Sequence, residues 1–307
     1  MAKRVGFIGL GNMGIPMSKR LLESGYEVWG YDINPDAVEA FVQAGGRAAA
    51  SISEVAQNTS TVLLSLPDSK AVEGVVEGEG GLLRTAAAGQ VIIDMSTSHP
   101  SSTRRLGKLL KEKGIDFLDA PVSGGVRGAV AGTLTVMVGG EEKLFEQSER
   151  VLRVFGPNVH YVGGPGAGHI LKALNNFLSA SHLLATSEAM IIATRLGLDP
   201  DRTIEILNQS TGRSNTSEVK FPKYILPRTF DAGFPLKLLL KDISIATRLA
   251  KEENIPMHTG NLLEQMLAFA VKGGAGDRDH TALIRMLEEW TGECVEGRAA
   301  KSRKGAK

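Results

Sequence analysis

Near its beginning the chain reads Val5-Gly6-Phe7-Ile8-Gly9-Leu10-Gly11-Asn12-Met13-Gly14. The apolar run that opens this stretch has the length of a buried β-strand, and a helical pattern closed by Gly25 follows it. The glycines therefore lie in a tight strand-to-helix turn. Gly9 permits the turn, Gly11 leaves the backbone open to a ligand, and Gly14 lets the helix pack closely on the strand.

Such a turn is typical of dinucleotide binding, because free N–H groups and the helix dipole at the helix start favour a pyrophosphate. A second predicted strand, 27–31, ends before Asp32, which follows the last glycine by 18 residues. A carboxylate roughly 20 residues on binds the adenosine ribose and repels a 2′-phosphate. The alternative is that Asp32 is an ordinary turn residue. The sequence thus predicts NAD, rather than NADP, bound by Gly9, Leu10, Gly11, Asn12, Met13, Gly14 and Asp32.

Strands and helices alternate through the first half of the chain. Apolar runs predict further strands at 61–66, 91–94, 116–118 and 133–138. This alternation is typical of βαβ units in a largely parallel sheet. Beyond Gly164 only helical patterns follow, the longest over 170–196. The predicted fold class is an α/β Rossmann-type parallel sheet domain (1–164) followed by an all-α domain (165–296), with a disordered basic tail at 297–307.

Composition argues against several broad classes of protein. The 35 Lys and Arg nearly balance the 34 Asp and Glu, which argues against a dedicated nucleic-acid or membrane-surface protein. The one cysteine, Cys294, can form no internal disulfide and favours the reducing cytoplasm. Charges within the apolar stretch 170–196 argue against a bilayer span, and the first strand leaves no room for a signal peptide. The sequence predicts no metal site.

Two further loops follow predicted strands at the edge of the sheet where ligands bind. Leu66 and Pro67 end the third strand, and Thr97 follows the fourth. We predict that these loops line the path of the cofactor toward its nicotinamide. Two alternatives stay open from the residues alone: Pro67 only ends its strand, or Thr97 only caps a helix that starts near Pro100.

The fifth strand leads into Asp119-Ala120-Pro121-Val122-Ser123-Gly124-Gly125. The Ser123 hydroxyl and the unobstructed N–H groups of Gly124 and Gly125 are suited to a small carboxylate. From the residues alone, a structural turn in which the glycines adopt positive φ explains this loop slightly better.

The long helical stretch begins with Gly166-Ala167-Gly168-His169-Ile170-Leu171-Lys172-Ala173-Leu174-Asn175-Asn176. Lys172 and Asn176 are four residues apart and share one helix face. The two glycines ahead of them allow close approach of another backbone, and paired asparagines are poor helix-interior residues. Transfer of hydride from an alcohol to NAD needs a proton acceptor, and burial beside a positive nicotinamide would lower the lysine pKa from about 10.4. We therefore predict that Lys172 is the acid/base, that Asn176 orients it and that Asn175 contacts the substrate. The alternative is a solvated surface lysine.

Another lysine, Lys241, lies near the edge of the apolar face of a predicted helix at 236–253. It either covers the cofactor cleft or is a solvated helix charge, and spacing alone does not decide between the two.

Together these motifs resemble the β-hydroxyacid dehydrogenase family, which includes 3-hydroxyisobutyrate dehydrogenase and tartronate semialdehyde reductase. The resemblance covers the chain from Val5 to about Thr291. It rests on GFIGLGNMG at 6–14, DAPVSGG at 119–125, GAGHILKALNN at 166–176 and LKD at 240–242. It implies a homodimer or homotetramer packed through the long helix. It also implies Lys172 as acid/base with Asn176 as its partner, Ser123, Gly124 and Gly125 at the substrate, and Thr97 and Lys241 at the cofactor.

The leading hypothesis is an NAD-dependent oxidoreductase for a small 3-hydroxy carboxylate similar to 3-hydroxyisobutyrate. Alternatives are an NAD(P)H-dependent reductase of tartronate semialdehyde, succinic semialdehyde or 2-formylglutarate, and a noncatalytic NAD-binding interaction module. An imine reductase is disfavoured by the lysine. The segment 210–214 and Trp290-Thr291-Gly292 resemble 2-(hydroxymethyl)glutarate dehydrogenase. Arg213 would then receive a second carboxylate, and a solvated loop arginine is the equal alternative.

Overall fold

The computed structural model describes residues 3–305. The chain divides into two compact units, the first ending at Lys172 and the second beginning at Ala173. The strands of the first unit are β1 (Arg4–Ile8), β2 (Glu27–Tyr31), β3 (Arg47–Ala48), β4 (Thr61–Leu64), β5 (Val91–Asp94), β6 (Asp116–Asp119), β7 (Val122–Ser123), β8 (Thr135–Gly139) and β9 (Asn158–Gly163).

These strands form one nine-stranded sheet in the order β3-β2-β1-β4-β5-β6-β8-β7, with β9 paired to β8. Pairing is parallel from β3 to β6 and between β8 and β9, whereas β8 runs antiparallel to β6 and β7. Strands β2 and β3 lie on one side of β1, and β4 to β6 lie on the other, so the order of strands switches between β1 and β4. Ligands bind at such a switch point, at the carboxyl ends of the strands. The predicted Rossmann-type fold class is confirmed.

Helices cover both faces of this sheet. They are α1 (Gly14–Glu23), α2 (Pro35–Gln43), α3 (Ile52–Asn58), α4 (Ser69–Glu77), α5 (Leu82–Thr85), α6 (Pro100–Lys111), α7 (Gly125–Ala131) and α8 (Glu142–Leu152). Neighbouring residues of β1 show the two-sided burial, since Phe7 belongs to one apolar cluster and Ile8 to the other. Buried on both faces, the parallel strands read as continuous apolar runs, which is why the sequence predicts them well.

Three strands are absent from those predicted from the sequence, and two of them, β3 and β7, contain two residues each. A strand of this length has no measurable alternation of polar and apolar residues. The third, β9, alternates exposed and buried residues only at its start. Pairing with neighbouring strands, rather than local pattern, defines these elements.

Helix α9 (Ala167–Arg195) links the two units. The second unit contains a buried apolar cluster of its own, formed by residues such as Leu183, Phe221 and Ile243. In residues 173–305 the structure shows no strand, only an isolated bridge between Pro235 and Asp279. The elements after α9 are α10 (Pro200–Asn208), a π-helical segment (Thr216–Ile225), α11 (Leu236–Glu252), α12 (His258–Ala270), a π-helical turn (Val271–Ala275), a 3₁₀ turn (His280–Ala282), α13 (Leu283–Thr291) and α14 (Arg298–Gly305).

Helix α9 has 29 residues, and by length and composition alone it can cross a membrane. Core helices of soluble proteins meet the same criterion, and a single helix of this kind is weak evidence for a span. Lys172, Glu188 and Arg195 interrupt its apolar sequence, as expected for a helix that packs against protein.

Two boundaries predicted from the sequence can be set beside the structure. The predicted domain boundary lies near Gly164, and the compact sheet unit extends to Lys172 because it includes the beginning of α9. The predicted disordered tail covers 297–307, whereas the structure forms α14 at Arg298–Gly305. The Arg298 N–H donates to Asp201 at 2.8 Å, and Ala300 is buried, so packing supports this polar helix. Residues 306 and 307 lie outside the described residues.

Candidate active site

The glycine turn lies between β1 and α1 and has the geometry that its sequence predicts. Gly9 adopts φ +94°, and a Cβ on Gly14 would lie 1.9 Å from the Gly9 carbonyl oxygen. Nothing lies within 4 Å of a Cβ built on Gly11, which is exposed. No side chain caps the N-terminus of α1. Open space beside uncapped N–H groups therefore fits a pyrophosphate.

Asp32 directly follows β2, and its side chain forms a hydrogen bond with the glycine turn. Its Oδ2 accepts a hydrogen bond from the Leu10 N–H at 2.6 Å, and its Oδ1 accepts one from the Asn34 N–H at 2.8 Å. A carboxylate has about four acceptor sites, so these two bonds do not use its full capacity to accept hydrogen bonds. The side chain thus serves both as a turn residue and as an acceptor beside the glycines.

The loops after β4 and β5 are joined to each other. The Leu66 N–H donates to the Ser96 hydroxyl at 2.9 Å, across 30 residues of chain. Thr97 is half-buried, and Pro67 is exposed. The N-cap of α6 is His99, whose Nδ1 accepts from the Ser101 N–H. Capping of α6 therefore does not explain Thr97.

The loop after β7 shows that the two readings of Ser123-Gly124-Gly125 are compatible. Gly124 adopts φ +132° and Gly125 φ +63°, so the backbone requires glycine at these positions. Both glycines are exposed, and Ser123 is half-buried. The positive φ values that turn the chain also leave a hydroxyl and backbone N–H groups accessible in one short loop.

A buried carboxylate holds the beginning of α9. Asp119, at the end of β6, accepts hydrogen bonds from the Gly166 N–H at 2.8 Å and the His169 N–H at 3.0 Å. Gly168 lies so close to β8 that an added Cβ would be 2.3 Å from the Met137 carbonyl oxygen. The predicted close approach of another backbone is confirmed.

His169 adds a second attachment for the same helical turn. Its buried ring shares a 2.7 Å hydrogen bond between Nδ1 and the Thr103 hydroxyl, and its Nε2 lies 3.1 Å from the Ser96 carbonyl oxygen. Lys172 lies three residues further along α9. Asp119 and His169 therefore orient the turn that carries the lysine, and neither is among the site residues predicted from the sequence.

Lys172 and Asn176 project from one side of α9, and each is only 8% exposed. This burial excludes the alternative of a solvated surface lysine. The Asn176 Nδ2 donates to the Asp242 Oδ2 at 2.5 Å, and the Asn175 Nδ2 donates to the Asn176 Oδ1 at 3.1 Å. The Lys241 Nζ lies 3.1 Å from the Asp242 Oδ1. In the second unit the structure thus joins three predicted site residues through Asp242.

Asp242 is 2% exposed and was not predicted as a site residue. Its signal in the sequence was a charged residue beside Lys241 on the apolar face of α11, since a buried carboxylate requires partners. Asp119 had a similar signal, because it ends an apolar strand. Within the described residues, no group of three or more His, Cys, Asp or Glu is placed to hold a metal ion.

Two family models together match nearly the whole chain. The model described as the NAD binding domain of 6-phosphogluconate dehydrogenase matches residues 4–163. The model described as "NAD-binding of NADP-dependent 3-hydroxyisobutyrate dehydrogenase" matches residues 166–287. The 2-(hydroxymethyl)glutarate dehydrogenase of Eubacterium barkeri is 40% identical over 294 residues, which cover 96% of this chain and 98% of that protein. The chain belongs to the β-hydroxyacid dehydrogenase family.

Further relatives of this β-hydroxyacid dehydrogenase agree. The mitochondrial 3-hydroxyisobutyrate dehydrogenase of Mus musculus is 38% identical over 291 residues, covering 93% of this chain and 87% of that protein. The Mycobacterium tuberculosis 3-hydroxyisobutyrate dehydrogenase, solved with L-serine, superposes with a TM-score of 0.86 at 30% identity and covers 94% and 99% of the two chains. The protein is thus an NAD-dependent oxidoreductase of the class that acts on the CH–OH group of hydroxy acids.

Proposed function

We propose that this dehydrogenase oxidises the alcohol of a small 3-hydroxy carboxylate of the 3-hydroxyisobutyrate type, with Lys172 as general acid/base. The observation that carries the proposal is a buried lysine that shares one side of α9 with Asn176. When bound, NAD would supply the acceptor for the hydride that leaves the carbon bearing the hydroxyl. The reverse reaction, reduction of a semialdehyde, uses the same groups.

Proton transfer is the task of the α9 side chains. The neutral amine of Lys172 accepts the hydroxyl proton during oxidation and returns it when a carbonyl is reduced. Asn176 holds the amine or the substrate hydroxyl in position, because Asp242 and Asn175 restrict its carboxamide. Fixed orientation of reacting groups contributes much of an enzyme's rate.

Substrate and cofactor contacts complete the proposal. The Ser123 hydroxyl and the N–H groups of Gly124 and Gly125 bind the substrate carboxylate, with Asn175 as a further contact. Burial of the lysine supports catalysis over a noncatalytic interaction module. The cofactor is held by Gly9, Leu10, Gly11, Asn12, Met13, Gly14, Asp32, Leu66, Pro67, Thr97 and Lys241.

We also infer a homodimer or homotetramer, located in the cytoplasm. Leu171, Leu174 and Leu178 are 40%, 43% and 53% exposed, and Ile192 is 60% exposed. Their spacing puts them on one side of α9, and an exposed apolar stripe of this kind marks an interaction surface. Leu178→Asp should shift the molar mass measured by light scattering from the oligomer toward the monomer. A wild type that already has the mass of one chain would contradict this inference.

Turnover of a substrate panel tests the proposed function. Reduction of NAD is measured with 3-hydroxyisobutyrate, glycerate, threonate, 4-hydroxybutyrate, serine and 2-(hydroxymethyl)glutarate, and the best substrate is repeated with NADP. We expect turnover of at least one 3-hydroxy acid. With NAD its kcat/KM should be about tenfold or more above that with NADP, because the Asp32 carboxylate repels a 2′-phosphate.

Two outcomes would contradict these expectations separately. A folded protein that binds NAD but oxidises no member of the panel would favour the noncatalytic alternative. Equal or better use of NADP would leave the dehydrogenase reaction intact and remove the assignment of Asp32.

A further inference from the structure

A buried lysine in the second unit takes no part in the reaction described above. Lys220 lies on the π-helical segment Thr216–Ile225 and is 9% exposed. Its Nζ donates one hydrogen bond, to the Ser179 hydroxyl at 2.9 Å. An ammonium group has three N–H donors. The other two have no hydrogen-bond partner among the described residues, so a buried positive charge retains donors for a ligand.

Ser179 connects this ammonium to the catalytic side of α9. Lys172, Asn176 and Ser179 are spaced i, i+4 and i+7, so they lie along one face of the helix. At 1.5 Å per residue, Ser179 is about 4.5 Å along the axis from Asn176 and about 10 Å from Lys172. The free donors of Lys220 therefore lie beside the continuation of the face that carries the general base.

Among the described residues no carboxylate forms a salt bridge with Lys220, although the charge of Asp279 acts on it. The Asp279 carboxylate accepts N–H bonds from Gly233 at 2.7 Å, Phe234 at 3.1 Å and Thr281 at 2.9 Å, so it is engaged with the backbone. Burial and the charge of Lys220 lower the pKa of His280 to about 4, so this ring is neutral at pH 7. Burial lowers the pKa of Lys220 to about 8 against the opposing effect of Asp279, and the group stays mostly protonated at neutral pH.

We infer that Lys220 binds the second carboxylate of a dicarboxylic 3-hydroxy acid of glutarate length. The inference rests on the proposed function, because the first carboxylate and the hydroxyl must occupy the site served by Lys172. A carboxylate beyond the reacting carbon accepts charge-assisted hydrogen bonds from the two remaining N–H groups of the ammonium. Lys220 thus selects dicarboxylic over monocarboxylic substrates.

The sequence predicts Arg213 as an alternative residue for binding the second carboxylate. It is exposed, and a solvated guanidinium gains little from one more ionic contact because water screens it. A buried ammonium with open donors gains more. The structure therefore favours Lys220 over Arg213 as the residue that recognises a second carboxylate.

The test compares substrates in three variants. Lys220→Met keeps most of the length of the side chain and removes its charge, Lys220→Arg retains a charge, and Lys223→Met is a matched control at an exposed lysine of the same segment. We measure kcat and KM for 2-(hydroxymethyl)glutarate and for 3-hydroxyisobutyrate. In Lys220→Met the ratio of the dicarboxylate KM to the monocarboxylate KM should rise about 10- to 100-fold, mainly through the dicarboxylate KM. In Lys220→Arg the ratio of the two KM values should rise less than in Lys220→Met, and in Lys223→Met it should match the wild type.

A second measurement needs no variant. Glutarate should inhibit the wild type competitively at least about tenfold more strongly than butyrate, since only glutarate supplies the second carboxylate. Equal inhibition by the two acids, an unchanged KM ratio in Lys220→Met, or a selective loss in Arg213→Met would overturn the assignment. Turnover of 3-hydroxyisobutyrate without preference for the dicarboxylate would reject the role of Lys220 and leave the proposed function intact. Turnover of no hydroxy acid rejects the proposed function together with it.

Discussion

Lys172→Ala is expected to lower kcat about 1,000-fold while leaving NAD affinity within a few-fold of the wild type. Lys172 is buried, and the Asp119 and His169 bonds to the first turn of α9 restrict its position. Removing the amine leaves the hydroxyl proton without an acceptor, although the groups proposed to hold the cofactor remain. Single-turnover formation of NADH, with NAD affinity measured separately by fluorescence, distinguishes the chemical step from binding.

Lys172→Arg separates proton transfer from charge. Arginine carries a permanent positive charge and cannot accept a proton at neutral pH, so its loss of kcat should match that of alanine. Added small primary amines should restore part of the activity of Lys172→Ala and none of that of Lys172→Arg. Near-normal turnover of Lys172→Ala would exclude the proposed mechanism, and an active Lys172→Arg would show that charge alone suffices.

Asp119→Ala is expected to destabilise the first unit by about 2–5 kcal/mol and to lower kcat at least tenfold. The substitution leaves the N–H groups of Gly166 and His169 without their acceptor, and both residues are buried. The turn that carries Lys172 then loses an attachment to the sheet. Urea denaturation measures the stability, and steady-state kinetics measure the effect on the reaction.

Asp116→Ala is the matched control on the same strand, β6. Asp116 pairs with Lys111 at 3.0 Å, with side chains 32% and 56% exposed, so its removal should cost less than about 1 kcal/mol and leave kcat unchanged. Equal effects of the two substitutions on stability and kcat would show that Asp119 has no special role in holding α9.

Several parts of the molecule follow from short stretches of sequence. The glycine turn is one, because positive φ and close backbone contacts demand glycine at particular positions whatever the rest of the chain does. Lys172 and Asn176 share a face because any α-helix places residues four apart on one side. The parallel strands are readable because burial on both faces leaves continuous apolar runs.

The contacts that orient the proposed site join residues that are far apart in the sequence. Asp119 and Gly166 are 47 residues apart, Asn176 and Asp242 are 66 apart, and Ser179 and Lys220 are 41 apart. Spacing in the sequence does not reveal which distant segments pack together, so these partners emerged only when the chain was folded. For the same reason the sequence does not predict the two-residue strands β3 and β7, which are defined by their pairing with neighbouring strands in the sheet. Local backbone chemistry thus specified the glycine turn and the helix face of Lys172, whereas long-range packing determined the partners of the buried carboxylates and of the second buried lysine.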